Sequence, residues 1–405
     1  MAAACTFTSP TQSGSYKMLY DYQSSVLHPE FLLYHHQDDS STLWFRIHTS
    51  ELLYTRAAAD APFLSKFRLS CATYKQDGQL LDTTGTTIID YAHDGAGWLT
   101  GSVVLPVDTG LTNMVITCAD LKRSTETISY LRSDKQSTYT AQNYLPTDAH
   151  TGEPLFGSFA GENQVVRIES NRNAANNDFY IGQYDQEIKL PPPPFSTSTP
   201  EMPDLSKTTD EIWDTDSASS YLFLASQGLY FISNDPLRKQ GAVLQAANDF
   251  FPEVKSTDQL PAPLRYITTK TEFEDIRENY YPKKKVDDFW LECAGSKERA
   301  RDLIGIYYNR VQEANYYFSS YTEGWRTDRG MIHIVFGNPA RIVKQQTYET
   351  WIYGEEGQTT TLTFVFRKQE MANVNNVYVL NRDPAFKTYW EKQVTNWRNG
   401  RIYSE

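Results

Sequence analysis

Near Leu260 the spacing of apolar residues changes from the two-residue period of strands to the three- and four-residue steps of helices, so the two sides must fold differently. Upstream, Phe31-Leu32-Leu33-Tyr34, Leu43 to Ile47, Phe67 to Cys71, Thr87 to Ile89 and Val115 to Cys118 are short β-rich runs divided by Gly, Asp and Ser turns. Regular short strands with that punctuation predict an antiparallel β-sandwich over residues 21–148. A second β region follows over 149–255, with strands expected at Gln164 to Glu169, Phe179 to Tyr184, Tyr221 to Leu224 and Gly228 to Ser233. Within it, Pro191 to about Ser217 reads either as a linker or as an ordered strap over a neighbouring surface.

Downstream, Ala300, Leu303, Ile304, Tyr307, Tyr308, Val311, Ala314 and Phe318 fall on one face of a helix starting near Ser296. The last helix has Asp383 as its N-cap, Pro384 at its first position, Phe386, Tyr389, Trp390, Val394 and Trp397 on one face, and Asn399-Gly400 at its end. Strands are expected between them at Tyr348 to Tyr353, Thr361 to Phe366 and Val377 to Leu380. Residues 256–405 are therefore expected to be α+β, a small sheet packed by helices.

That domain holds the chain's most signature-like stretch, Gly324-Trp325-Arg326-Thr327-Asp328-Arg329-Gly330, which runs into Met331-Ile332-His333-Ile334-Val335-Phe336 and then Gly337-Asn338-Pro339. The six residues from Met331 alternate as a strand would, and Gly337 to Pro339 reads as its stop. Taken with Tyr348-Glu349-Thr350-Trp351-Ile352-Tyr353 downstream, the order resembles the GWxTD domain of cell-envelope proteins of the Bacteroidota. The resemblance covers roughly Leu260 to the end. A weaker likeness extends to Asn177 to Ile181, Leu190 to Phe195 and Gly228 to Ile232. It implies an envelope location and marks Gly324, Trp325, Thr327, Asp328, Arg329, Gly330, Gly337, Pro339, Glu349 and Trp351 as motif residues, structural or interacting. Most members of the family have no assigned activity, so the likeness implies little chemistry.

Met1-Ala2-Ala3-Ala4-Cys5 resembles the end of a bacterial lipobox, which implies acylation of Cys5, with residues 1–20 as anchor and the polar Thr6 to Tyr16 as tether. With 38 Lys plus Arg against 50 Asp plus Glu, the net charge of −12 argues against nucleic acid as a partner. The 27 Tyr, 20 Phe and 8 Trp are core and sheet-pair material first, and a contact surface for protein or sugar second. Cys71 and Cys118 read as buried thiols, although an envelope location would permit a bond between them.

Chemistry is thinly signalled. Asp328 and Glu349, with Arg326, Arg329 and His333 near them in sequence, form a carboxylate pair suited to acid/base hydrolysis if both reach one cleft. The bland alternative is that Asp328 caps a turn or pairs with Arg329 while Glu349 neutralises an arginine. His35-His36-Gln37-Asp38-Asp39 has metal-ligating residue types, yet adjacent ligands between strands read as a solvated loop. Neither catalytic residues nor a metal or cofactor is expected. The reading is a non-enzymatic, lipid-anchored accessory subunit of an outer-membrane complex for barrel assembly, secretion or uptake. Its partners would be a β-barrel or other lipoproteins, and the membrane through acyl chains. An envelope glycan-binding module and a hydrolase using Asp328 and Glu349 are the alternatives.

Overall fold

The structure is a computed structural model that describes residues 10–20, 26–92, 97–107, 109–137, 140–171, 179–184, 186–204, 208–213, 219–234, 241–355, 361–369, 371, 374 and 376–403. Cys5, Asn177, Asp178 and parts of the proline-rich insert lie outside the described residues.

The N-terminal region is an antiparallel sandwich. One sheet has the order β2 (Glu30–His35), β3 (Ser40–His48), β6 (Trp98–Pro106). The other runs β5 (Leu80–Tyr91), β4 (Leu64–Lys75), β7 (Leu111–Asp120), β8 (Thr125–Asp134). Period-two alternation sends Leu43, Phe45 and Ile47 from one sheet and Phe67, Leu69, Cys71, Met114, Ile116 and Cys118 from the other into a shared core. Cys71 and Cys118 are free thiols there. Burial pushes both up to about 12, which keeps them protonated and unreactive near neutral pH.

In the second β region, β9 (Tyr144–Asp148), β11 (Val165–Ser170) and β14 (Ser219–Phe223) make a sheet of order β14-β11-β9. It packs on a five-stranded sheet, β10 (Phe159–Gly161), β16 (Ala242–Ala247), β15 (Gly228–Ser233), β12 (Phe179–Tyr184), β13 (Thr208–Trp213), whose only parallel pair is β10 with β16. β15 reads as an unbroken apolar run because both its faces are covered. Tyr230 and Ile232 enter the inter-sheet core, while Leu229 and Phe231 pack with Val243 against Tyr321, Val374 and Val377 of the C-terminal region.

The C-terminal region joins α2 (Lys270–Glu278), α3 (Pro282–Ala294), α4 (Lys297–Phe318), α5 (Asp328–Phe336) and α6 (Phe386–Arg398) to the sheet β17 (Arg341–Lys344), β18 (Tyr348–Tyr353), β19 (Leu362–Lys368), β20 (Tyr378–Leu380). Ser296 caps α4 by accepting from the Arg299 N–H at 3.2 Å, as its sequence position predicts. α6 starts three residues after Asp383, whose side chain instead caps the preceding turn through the Ala385 N–H at 2.8 Å. Among the described residues no helix is long and apolar enough to cross a membrane.

Two expectations fail in instructive places. The segment Met331 to Phe336 is helical: α5 runs from Asp328 to Phe336 with all nine residues buried. A short element covered on every side has no polar face, so a strand's alternation and a helix's stripe become indistinguishable in it. The deciding signals are its ends. Thr327 accepts from the Gly330 N–H at 3.1 Å as N-cap, and Gly337, at φ +80°, ends a helix rather than a strand.

The other failure is the tether. From Gln12 the chain is not a free spacer: β1 (Gln12–Gly14) pairs antiparallel with β17, making the sheet order β1-β17-β18-β19-β20. α1 (Tyr16–Tyr20) then buries Tyr16, Leu19 and Tyr20 in the C-terminal core. The proline run serves as a strap. Leu190 and Phe195 pack on that same core, and the carbonyls of Ile188, Pro192 and Pro194 accept from Arg326, Arg382 and the Asp383 N–H.

Candidate functional site

The Gly324 to Gly330 segment is a turn jammed between α4 and α5. A Cβ on Gly324 would lie 1.7 Å from the Ala314 carbonyl oxygen, and one on Gly330 would lie 1.9 Å from the Gly324 carbonyl oxygen. Only glycine permits either approach. Trp325 is buried beside Tyr266, which donates to the Trp325 carbonyl at 2.8 Å; its own indole N–H reaches Glu323 at 3.1 Å. Gly337 ends α5, and the Gly337 carbonyl accepts from Tyr353 at 2.9 Å. Pro339 is buried in the following turn.

Asp328 and Glu349 are both interior, 2% and 1% exposed, and each is committed to its own arginine. Asp328 accepts from Arg382 at 2.5 and 3.0 Å and from the Leu380 N–H at 2.8 Å, which ties the start of α5 to β20. Its partner is thus Arg382 rather than Arg329, and the capping residue is Thr327. Burial pushes the Asp328 carboxyl above its ordinary value against the pull of Arg382. Glu349 meets Arg329 at 3.3 Å and accepts from the Trp351 indole at 2.6 Å and from the Tyr20 hydroxyl. Arg329 also donates to Asn376 Oδ1 at 2.7 Å, with its guanidinium 4.0 Å from the Tyr378 ring centre. Every acceptor of this lattice is used by a donor of the same chain, the condition under which buried charges are tolerated.

His333 is fully buried, 5.0 Å from the parallel Tyr16 ring and 2.9 Å from Glu313. Arg326 points away from the carboxylates to Glu323 at 2.9 Å and to the strap. The N-terminal segment is part of the same lattice through Tyr20. Sequence reasoning missed Tyr20, Arg382 and Asn376, because their partners lie tens to hundreds of residues away and leave no local pattern.

Beside this lattice opens a cleft of about 1060 Å³, walled by the sandwich, the second β region and the C-terminal region. Neither Asp328 nor Glu349 lines it, so the two carboxylates do not act together on its contents. Its polar groups fasten the walls to one another. Arg46 of the sandwich pairs with Glu30 at 2.9 Å and lies 4.3 Å from Trp98 and 4.9 Å from Phe156 of the second region. His28 bridges the buried Glu51 and the Met18 carbonyl of α1, each at 2.9 Å. Lys344 sits 3.7 Å from the centre of the Tyr20 ring, and desolvation of its ammonium lowers it to about 8.

Of the stretch His35 to Asp39, Gln37, Asp38 and Asp39 do form an exposed turn between β2 and β3, but the histidines do not share it. His35 is fully buried, with its ring nitrogens at Ser41 Oγ (2.8 Å) and Gln142 Oε1 (2.9 Å), and burial lowers it to about 4. His36 turns to Thr42 at 2.7 Å, so the two rings do not converge. Among the described residues no cluster of three or more His, Cys, Asp or Glu is placed to hold a metal.

Comparison with known proteins identifies a GWxTD domain at residues 228–399, which takes in β15 and β16 as well as the helices and sheet described above. No curated protein shows a sequence match to the chain. Among solved structures it is similar to two forms of Bacteroides uniformis beta-glucuronidase 2. One is a calcium binding mutant, at 19% identity and a TM-score of 0.17 over 25% of this chain and 12% of that one. The other is covalently bound to cyclophellitol-6-carboxylate aziridine, at 20% identity and a TM-score of 0.16, with the same coverage. This chain therefore spans about an eighth of that enzyme's length, and likeness at this level carries no argument about activity.

Proposed function

We propose that this chain is a non-enzymatic accessory subunit of an outer-membrane protein complex, anchored by acylation of Cys5, whose GWxTD domain serves as a rigid hub for protein contacts. The observation that carries the reading is the fate of the motif's charges. Asp328, Arg329 and Glu349 are spent on one another's neighbours inside the domain, and none lines the cleft. A hydrolase acting through Asp328 and Glu349 needs those carboxyl groups within hydrogen-bond reach of its substrate. The glycan alternative would have to stack sugars on other rings, since Trp390 and Trp397 are buried in the helical core, as their shared helix face predicts. Barrel assembly, secretion and uptake machines all fit a scaffold of this kind, with a β-barrel or other lipoproteins as partners.

The anchor gains a geometric consequence from β1. Seven chain steps lead from Cys5 to Gln12, a reach of about 24 Å when fully extended. Acylation at Cys5 would hold the GWxTD domain against the bilayer, where one partner contact adds effectively to weak lipid affinity. The test is affinity purification of a C-terminally tagged copy from native outer membranes in mild detergent, with mass spectrometry to count co-purifying chains. A stoichiometric integral β-barrel or lipoprotein is the expected result. Recovery of the chain alone would sink the proposal.

A further inference from the structure

The sandwich has four sheet edges, and the described residues cover only two of them. β2 lies against the second β region, with His35 bonded to Gln142 at 2.9 Å. β8 is flanked by the N-terminal segment and by the C-terminal region, where Gln12 accepts from the Ile128 N–H at 3.4 Å and Lys368 reaches the Tyr130 carbonyl at 3.5 Å. The edges β5 and β6 are open: among the described residues β5 pairs with β4 alone and β6 with β3 alone.

An open edge presents a row of backbone donors and acceptors, and folded proteins normally blunt such rows with lysine, proline or a short strand. β5 has neither lysine nor proline, and the extra residue at Leu81, between the partners of Thr73 and Tyr74, sits at its start and leaves Thr83 to Tyr91 in regular register. It is twelve residues long, without Lys, Arg or Pro, and Thr83 to Ile89 carries no charge at all. Asp82 and Asp90, near its two ends, are occupied by the Thr84 hydroxyl at 2.8 Å and the Tyr54 hydroxyl at 2.6 Å. Apolar side chains stand out on it, with Ile89 50% and Tyr91 58% exposed. β-Branched residues in an open, uncharged stretch such as Thr83 to Ile89 are the composition that adds strands most readily.

The outward face tells what kind of strand fits. In the β4–β5 register Lys66 lies opposite Ile89 and Arg68 opposite Thr87, on the exposed side of the sheet. Neither cation has an ion-pair or hydrogen-bond partner among the described residues, in a chain whose net charge is −12. A strand added to β5 would lie about 4.8 Å beyond it, placing its alternate side chains on that same face. We infer that the β5 edge is a strand-addition site for an extended segment of a partner protein, acidic at alternate residues. A second copy of this chain is a poor fit: the outward residues of its own β5, Thr83, Gly85, Thr87, Ile89 and Tyr91, include no acid to answer Lys66 and Arg68. This inference rests on the reading of the chain as a subunit and names one of its docking surfaces.

The experiment is amide hydrogen exchange, read by mass spectrometry over Leu80–Tyr91, in the isolated full chain and in the assembly released from native membranes by mild detergent. Slowing of at least tenfold in the assembly is expected. A Lys66→Glu, Arg68→Glu double variant should melt at the wild-type temperature and recover less than a tenth of the partner. If the partner co-purifies but exchange over this strand is unchanged, or the double variant recovers the partner at wild-type level, the strand-addition site is wrong and the subunit reading stands. Protection produced by self-association of the isolated chain also overturns it. Recovery of the chain alone removes the subunit reading and this inference together.

Discussion

Replacing Asp328 by Asn separates a structural motif from a catalytic one. Asn keeps the shape of the side chain and one acceptor oxygen, so the Leu380 N–H, now 2.8 Å away, retains a partner. What disappears is the charge opposite Arg382, a guanidinium whose side chain is only 5% exposed. Burial already raises the Asp328 carboxyl, so lost charge alone is not the cost: Asn sets its amide NH2 against Arg382 Nη2, donor facing donor. Breaking a buried pair from one side in this way typically costs about 3–5 kcal/mol. The retained acceptor, and Arg382's bond to the Pro192 carbonyl at 2.9 Å, put the expected loss at the lower end, about 3 kcal/mol. In a unit of this size each kcal/mol moves the melting temperature by about 2–4 °C, which gives a fall of about 6–12 °C. Five of the eight tryptophans, Trp290, Trp325, Trp351, Trp390 and Trp397, lie in the C-terminal region, so urea or heat unfolding followed by indole fluorescence reports mainly on it. Adding Arg382→Met to Asp328→Asn should restore much of the loss, with a coupling energy of about 2 kcal/mol in the double-mutant cycle. A variant within about 0.5 kcal/mol of wild type, the scale of an ordinary surface substitution, would refute the argument that Asp328 serves the interior.

Two further outcomes follow from the geometry. Gly324→Ala forces a Cβ to within 1.7 Å of a backbone oxygen on α4 and should cost more than the ~1–3 kcal/mol of ordinary overpacking; Gly305→Ala, in open space on the same helix, should instead stabilise by about 0.5–1 kcal/mol in the same melts. Glu272, lowered to about 2 chiefly by its hydrogen bonds to Arg398, contributes stability that is fully present above its ordinary 4.5 and is lost as pH falls through about 2. Glu272→Gln should therefore cost about 0.5 kcal/mol at pH 7, the small value set by its partial exposure, and the difference from wild type should shrink between pH 4.5 and 2 in denaturation curves.

What could be read directly from residue order was what repeats locally. The α4 stripe from Ala300 to Phe318, the α6 face with Trp390 and Trp397, and the strand at Tyr348 to Tyr353 follow from one-sided burial, which writes a period into the chain. α5 escaped because its burial is all-round. The motif residues were visible as a set, but not what they do: Asp328 depends on Arg382, and Glu349 on Tyr20 and Arg329, pairings that only the tertiary fold brings together. β1 was misread as spacer for the same reason. Gln12-Ser13-Gly14 is too short and too polar to announce itself, and acquires strand geometry only from β17.

That pairing also fixes an order of events. Gln12 and Lys344 lie opposite each other in the ladder roughly 330 residues apart, so the first of the described strands to be synthesised waits for most of the chain before it can find its place. Closing a flexible loop of that length costs about 5 kcal/mol in chain entropy, too much to precede the gains that local structure brings. The sandwich and the second β region lie inside the loop, and once folded they shorten it to a small gap, with Gln12 already against Ile128. Folding from the middle outward is the low-barrier route. Seating Tyr20 on Glu349 is then the closing step, and a chain truncated anywhere before β17 has a free N-terminal strand with nothing to pair with.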